Sequence, residues 1–390
     1  MAKLLISCDD NIFIYNGNYY YKDQEWCNFY NRYLRVFESI RIVVRCVHTE
    51  VLKSCRVKID DPRVEIVYIP NFSGPREYLK CYHKIGGLLK NVVDGCDAAI
   101  VRLPSTIGQR VAKLVMKNKL PYGVEVVYDA EDGWRSERNI INKLLWKKID
   151  IDMRKTCRAA DGVACVTEFY LQRHYYSIKP DSFKSYYSTL ELPKSFYSSA
   201  KQHPVDRTCV LANISNQIQF NGRKGYNEII QAISLLKKRN VIVNAKFVGQ
   251  SYDNGVDKLK EYSERLGVSE QIQYLGYLTR PEIDQFLTNV DLFVMPTKAE
   301  GLPRVIIEAM AKGLPAISSP VSGNPELLSS HFLVEYDDVN TLADRILELV
   351  SNKERYELAS KENFAKSQQY EASILEERRD SFYKSLKKCI

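Results

Sequence analysis

The stretch DLFVMPTKAEGLPRVIIEAMAKGLPAISSPVSGNPE, residues 291–326, reads as strand, loop, helix, strand and loop in immediate succession. Residues 292–295 form a short apolar run suited to a buried parallel strand. Residues 296–302 are a polar turn, and Pro303 is expected at the first helical position, where its missing N–H costs nothing. Val305, Ile306, Ala309 and Met310 have helical spacing, Gly313 and Pro315 stop the helix, and the next strand starts at 316–318. In an open α/β sheet, ligands bind beyond the carboxyl ends of the strands, and a helix N-terminus there attracts anions. The backbone of Gly301, Leu302 and Pro303 is therefore a candidate cradle for a diphosphate or an anionic sugar donor. Glu300 precedes the helix and Glu308 falls on its second turn. One carboxylate accepts two hydrogen bonds from a vicinal diol, so this pair has the chemistry to grip two diols, one on a sugar and one on a ribose. The plainer reading makes Glu300 an acid at the helix start and Glu308 part of a solvated face.

The string E-G-L-P-x-x-x-x-E-A-M-A-x-G-x-P, with Asp291 and Pro296 before it and Gly323 and Glu326 after it, resembles the E-x7-E signature of the retaining family 4 (group 1) glycosyltransferases. The resemblance covers residues 209–350; the front half matches only in element order. It implies the GT-B fold, an α/β architecture of two doubly wound Rossmann-like domains facing across a cleft. It also implies that Glu300 contacts the donor sugar and Glu308 the ribose hydroxyls. The backbone at Gly301, Leu302 and Pro303 would hold sugar and diphosphate, and Gly276 with Tyr277 would meet the base.

The 390 residues suit two domains, and 45% hydrophobic content suffices for two cores. Ten cysteines are scattered without a C-x-x-C pair and five histidines are dispersed, so neither a zinc site nor a disulfide framework is expected. The opening MAKLLISCDD has too short an apolar run for a secretory signal, and no run approaches the length of a membrane span. A cytoplasmic protein, free or peripheral on the inner face of the plasma membrane, is expected. Residues 1–200 carry 31 Lys/Arg against 23 Asp/Glu, so the whole net charge of +8 lies in the front half. No nucleic-acid-binding motif accompanies it; an anionic membrane surface or a pyrophosphate-linked acceptor fits better.

Strand–helix alternation through residues 3–175 argues for a parallel, doubly wound front domain, 1–195. After a first strand at 3–7, residues 8–23 are expected to be a long tyrosine-rich loop. In the resembled family this loop brings glycines to the donor phosphates; here only Gly17 is present, and an aromatic wall for the acceptor is the other reading. A strand at 121–128 ends in YDAEDGW, where the family often has a His-Asp pair facing the reacting sugar. Tyr128-Asp129 stands there instead, so Asp129 is either a positioning carboxylate or part of a solvated acidic loop. Glu168 ends the following strand. Residues 138–158 have helical spacing of Ile and Leu, with Lys143, Trp146, Lys147, Arg154 and Lys155 on other faces. This helix either packs on the sheet with its lysines solvated or lies on an anionic bilayer.

Residues 186–204 are read as the interdomain connection, 205–370 as the donor-binding rear domain, and 371–390 as a helix crossing back to the front. Lys224-Gly225, ahead of a helix over 227–238, resembles the family's K-G motif. A cation at a helix start stabilises the charge that builds on a departing diphosphate. Lys224 is assigned that role with Arg223 as its partner. The expected activity is transfer of a hexosyl group, with retention, from a UDP- or GDP-linked sugar to a glycan or polyprenyl-pyrophosphate-linked acceptor in bacterial capsule or exopolysaccharide assembly, without metal or cofactor. The rival readings are a sugar-nucleotide 2-epimerase of the same fold, a dinucleotide-dependent oxidoreductase, for which no G-x-G-x-x-G is found, and a non-catalytic nucleotide-sugar sensor.

Overall fold

A computed structural model describes residues 2–137, 139–204 and 207–390. The expected helix start at Arg138 and the expected rear-domain start at 205 lie outside the described residues. The chain divides into two compact units. One comprises the residues up to Tyr187 together with Glu376–Ile390; the other is Ser188–Leu375.

The front unit runs β1 (Lys3–Tyr15), β2 (Asn18–Tyr21), α1 (Gln24–Asn31), β3 (Ser39–His48), β4 (Val57–Lys58), β5 (Val64–Pro70), α2 (Gly74–Leu88), β6 (Ala98–Leu103), α3 (Thr106–Lys117), β7 (Tyr122–Val126), α4 (Ala130–Ser136), α5 (Ile140–Arg158), β8 (Gly162–Cys165), α6 (Tyr170–His174) and β9 (Phe183–Tyr186). The order β5-β3-β1-β6-β7-β8-β9 is parallel throughout, with β2 antiparallel to β1 and β4 antiparallel to β2. Every residue of β6, β7 and β8 is buried, as expected of parallel strands covered on both faces.

Two expectations need correction here. Residues 8–23 are not a loop: β1 continues to Tyr15 and turns back through Asn16-Gly17 into β2. Asn16 and Gly17 have φ of 48° and 75°, the left-handed pair that a two-residue hairpin requires. The acids after β7 are not a loop either. Asp129 caps α4, and Glu131 and Asp132 fill its first turn, where the helix dipole favours negative charge.

The rear unit runs β10 (Cys209–Ile218), α7 (Tyr226–Lys238), β11 (Val243–Ser251), α8 (Gly255–Arg265), β12 (Ile272–Gly276), α9 (Arg280–Thr288), β13 (Leu292–Met295), α10 (Arg304–Ala311), β14 (Ala316–Ser318), α11 (Asn324–Leu327), α12 (Val339–Ser351) and α13 (Lys353–Ser367). Its strands are parallel in the order β12-β11-β10-β13-β14. The chain leaves β10 in one direction and returns to β13 on its other side, so the two loops that follow β10 and β13 flank a topological switch point. After β14, Leu333 bridges Ser318 and the chain then turns into α12. Pro303 is the residue before α10 rather than its first residue.

The last helix, α14 (Ala372–Lys387), belongs to the front unit from Glu376 onward. Phe382 packs edge-on against Phe183, and Tyr383 donates to Glu125 Oε1 at 2.8 Å. Glu125, on β7 and nearly buried, also accepts from Tyr33 at 3.2 Å and Tyr187 at 3.0 Å, and lies 3.5 Å from Arg102. One buried carboxylate is thus satisfied by three hydroxyls and a guanidinium, and α14 supplies one of them.

Candidate active site

At the switch point of the rear unit a fully buried asparagine joins the two loops. Asn213, on β10, donates to the carbonyl of Val294 at 2.9 Å and to that of Lys224 at 3.2 Å. The loop after β10 therefore folds back onto β13. Gly225 makes this approach possible: its φ is +67°, and a Cβ there would lie 2.2 Å from the Pro296 carbonyl oxygen. Lys298 N–H donates to the Arg223 carbonyl at 3.1 Å, closing the two loops on each other.

This backbone framework brings Lys224 to Glu300. The ammonium and the carboxylate form an ion pair, with 24% and 13% of their side chains exposed. Thr297 Oγ1 also donates to Glu300 Oε1 at 3.1 Å. The loop that carries Glu300 is braced from below. Ser319 Oγ accepts from Thr297 N–H at 2.9 Å, Gly323 N–H donates to the Gly301 carbonyl at 2.9 Å, and Asn324 ties Ser318 and Ser319 together. Gly301, Leu302 and Pro303 are buried in this loop and lead directly into α10. Pro303 has no side-chain oxygen to accept from the first turn of the helix.

Glu308 does not lie on a solvated face. Its side chain is 3% exposed and pairs with Arg280 Nη1, from the first residue of α9, at 2.5 Å. A charge-assisted hydrogen bond from a guanidinium fixes the direction of this carboxylate. A neighbouring pair, Lys312 with Asp284, ties α10 to α9 a turn further on. Arg223 and Tyr277 are exposed, and Tyr277 follows Gly276 at the end of β12. The rear unit thus assembles two largely buried carboxylates, each paired with a cation, and a helix N-terminus around its switch point.

In the front unit, Asp129 is fully buried, which excludes the solvated-loop reading. Its Oδ1 accepts from Glu131 N–H at 2.9 Å and lies 2.8 Å from the Tyr175 hydroxyl. That hydroxyl is also 2.9 Å from Asp150 Oδ1; burial and these carboxylates hold it far above the ordinary tyrosine range. Reasoning from sequence missed His174, whose Nδ1 lies 3.4 Å from Glu131 Oε2 and 3.9 Å from Asp129 Oδ2. It comes from α6, and nothing in its local sequence announces that neighbourhood. Gly17 lies in the β1–β2 turn, where its φ accounts for the glycine. Glu168 lines an open cavity of about 560 Å³ with Phe169, Arg173, Tyr176, Tyr186 and Arg378.

Comparison with known proteins bears on this geometry. Residues 217–366 match the family model described as Glycosyl transferases group 1. Protein CapJ of Staphylococcus aureus is 25% identical over 377 residues, 93% of this chain and 91% of that protein. The amylovoran biosynthesis glycosyltransferase AmsK of Erwinia amylovora is 30% identical over 136 residues, 33% of each chain. Among solved structures, Anabaena HepE in complex with UDP and glucose superposes with a TM-score of 0.66 at 15% identity, covering 98% of this chain and 99% of that one. The fold is that of the GT-B glycosyltransferases, and over residues 217–366 the sequence is similar to the group 1 glycosyltransferases. Among the described residues, no helix is long and apolar enough to cross a membrane.

Proposed function

We propose that this chain is a retaining, family 4 hexosyltransferase that takes its sugar from a UDP- or GDP-linked donor. Its acceptor is a glycan or a polyprenyl-pyrophosphate-linked glycan of a bacterial capsule or exopolysaccharide. The observation that carries this reading is the Lys224–Glu300 ion pair at the switch point, with Glu308 buried on the helix that follows.

In this reading the donor divides that pair. Lys224 turns to the diphosphate, whose charge grows as the glycosidic bond breaks, and Glu300 accepts from hydroxyls of the sugar. Arg223, exposed beside Lys224, adds a second cation. The backbone of Gly301, Leu302 and Pro303 and the positive end of α10 support sugar and diphosphate. Glu308, its Oε1 committed to Arg280, offers its other oxygen to the ribose, and Tyr277 meets the base through its backbone. With retention, the acceptor hydroxyl attacks from the face the leaving group vacates, and the departing phosphate oxygen takes its proton. Positive charge from Lys224, Arg223 and the helix then makes a metal unnecessary. Asp129, held by Tyr175 and the α4 N-terminus, serves as the positioning carboxylate.

A thermal-shift panel of UDP-, GDP-, ADP- and dTDP-sugars tests the donor, because a ligand bound only by the native state raises the melting temperature. One donor series should stabilise the protein; no shift with any of them overturns the reading. Incubating that donor with acceptor and following the anomeric proton of the product then tests retention, and an inverted product overturns that part.

A further inference from the structure

The face that α5 presents to solvent is not that of a helix that only packs on a sheet. Ile140, Ile141 and Leu144 are 75%, 70% and 63% exposed, and Leu145 and Ile151 are exposed as well. At about 3.6 residues per turn these five fall on one arc of the helix. Met153 and Cys157 fall on the opposite arc and are buried. The helix therefore has two apolar faces, one against the unit and one without cover from it. Asn139 caps the exposed end, accepting from Ile141 N–H at 3.0 Å and Asn142 N–H at 3.2 Å, so the outer face is already formed as a helix.

The outer arc is also basic. Lys147, Lys148 and Lys155 interleave with its apolar residues and Lys143 flanks them, all exposed. The acid on this arc, Asp152, faces Lys113 at 3.5 Å. A contiguous exposed apolar patch marks an interaction surface, and the charges select its occupant. Protein–protein interfaces are depleted in lysine, and a second copy of this helix would set ammonium against ammonium. An anionic bilayer accepts both kinds of residue at once: isoleucine and leucine enter the headgroup–acyl boundary while lysines reach back to lipid phosphates. The excess positive charge of residues 1–200 acts in the same direction.

We propose that the outer face of α5 docks this protein on an anionic lipid bilayer, with the helix lying in the plane of the membrane. Docking stands apart from the transferase reading and is measured without it. The full chain is floated with vesicles of phosphatidylcholine alone or of equimolar phosphatidylcholine and phosphatidylglycerol. Two variants accompany it: I140S/I141S/L144S, which removes the apolar contribution, and K143E/K147E/K148E, which reverses the charge. All substituted side chains are exposed, and melting temperatures matching the parent verify the fold. The parent should be recovered with the phosphatidylglycerol vesicles and released by salt, and each variant should lose at least tenfold in partitioning. Absence of the parent from the lipid fraction overturns the proposal, as does equal recovery of the serine variant. So does a parent dimer in light scattering that the serine variant abolishes, since a second copy would then cover the face.

Discussion

Lys224 and Glu308 carry opposite predictions about the same ligand. Lys224→Ala should lower kcat/KM by about 10²–10³ if the ammonium acts mainly on the charge of the transition state. A steady-state assay with saturating acceptor measures this, and unchanged turnover removes Lys224 from the chemistry. Glu308→Ala should instead weaken nucleotide binding about tenfold or more, read by calorimetric titration with UDP or GDP; an unaltered Kd contradicts the ribose contact. A third residue prediction concerns pH. Burial raises the carboxyl of Asp10 from its ordinary 3.8 to about 6. An acid whose pKa is higher in the folded state takes up a proton on folding. Its contribution to stability therefore falls as pH rises from about 4 to about 6 and stays lost above that. Asp10→Asn removes the titration, so it should raise the melting temperature at pH 8 and leave it unchanged at pH 4. Equal shifts at both pH values would refute this assignment. These residues also mark the limits of reading sequence. The spacing of Glu300 and Glu308 was legible, because one strand–loop–helix unit fixes it. Arg280, 28 residues before its partner, was not, and neither was His174, because their neighbours are chosen by the stacking of strands and helices rather than by local pattern.

At the level of elements, β13 and β14 were legible to the residue: β13 is an apolar run of a strand covered on both faces, and the helix stop at Gly313 and Pro315 sets the start of β14. The front edge was harder. β1 carries Cys8, Asp9, Asp10 and Asn11 through its middle, and its pairing with β3 shifts register between Ser7 and Asn11. A polar, irregular strand reads as a loop, although Asn16-Gly17 was a hairpin signal in plain view. α4 was missed for a related reason: acids that look solvated in a list of residues are what a helix N-terminus recruits. The end of the chain yields a prediction of its own. Residues 376–390 contribute Arg379, Phe382, Tyr383 and Leu386 to the buried interior of the front unit. Deleting them leaves Glu125 short of a hydroxyl and uncovers aromatic rings. The truncated chain should lose several kcal/mol from the front unit, seen as a lower urea midpoint. A midpoint equal to that of the full chain would show the helix to be dispensable.

Across the whole molecule, the second unit is an insertion in the first. The chain enters it once, after Tyr187, and leaves it once, before Glu376. The order of α/β elements made two doubly wound units legible, because each strand–helix alternation must bury its own sheet. This topology also means that both chain ends lie in one half, and the half bearing Lys224, Glu300 and Glu308 is spliced in like an oversized loop. A protease that nicks either peptide bridge alone would not free that half, and its fragments would co-elute until denatured.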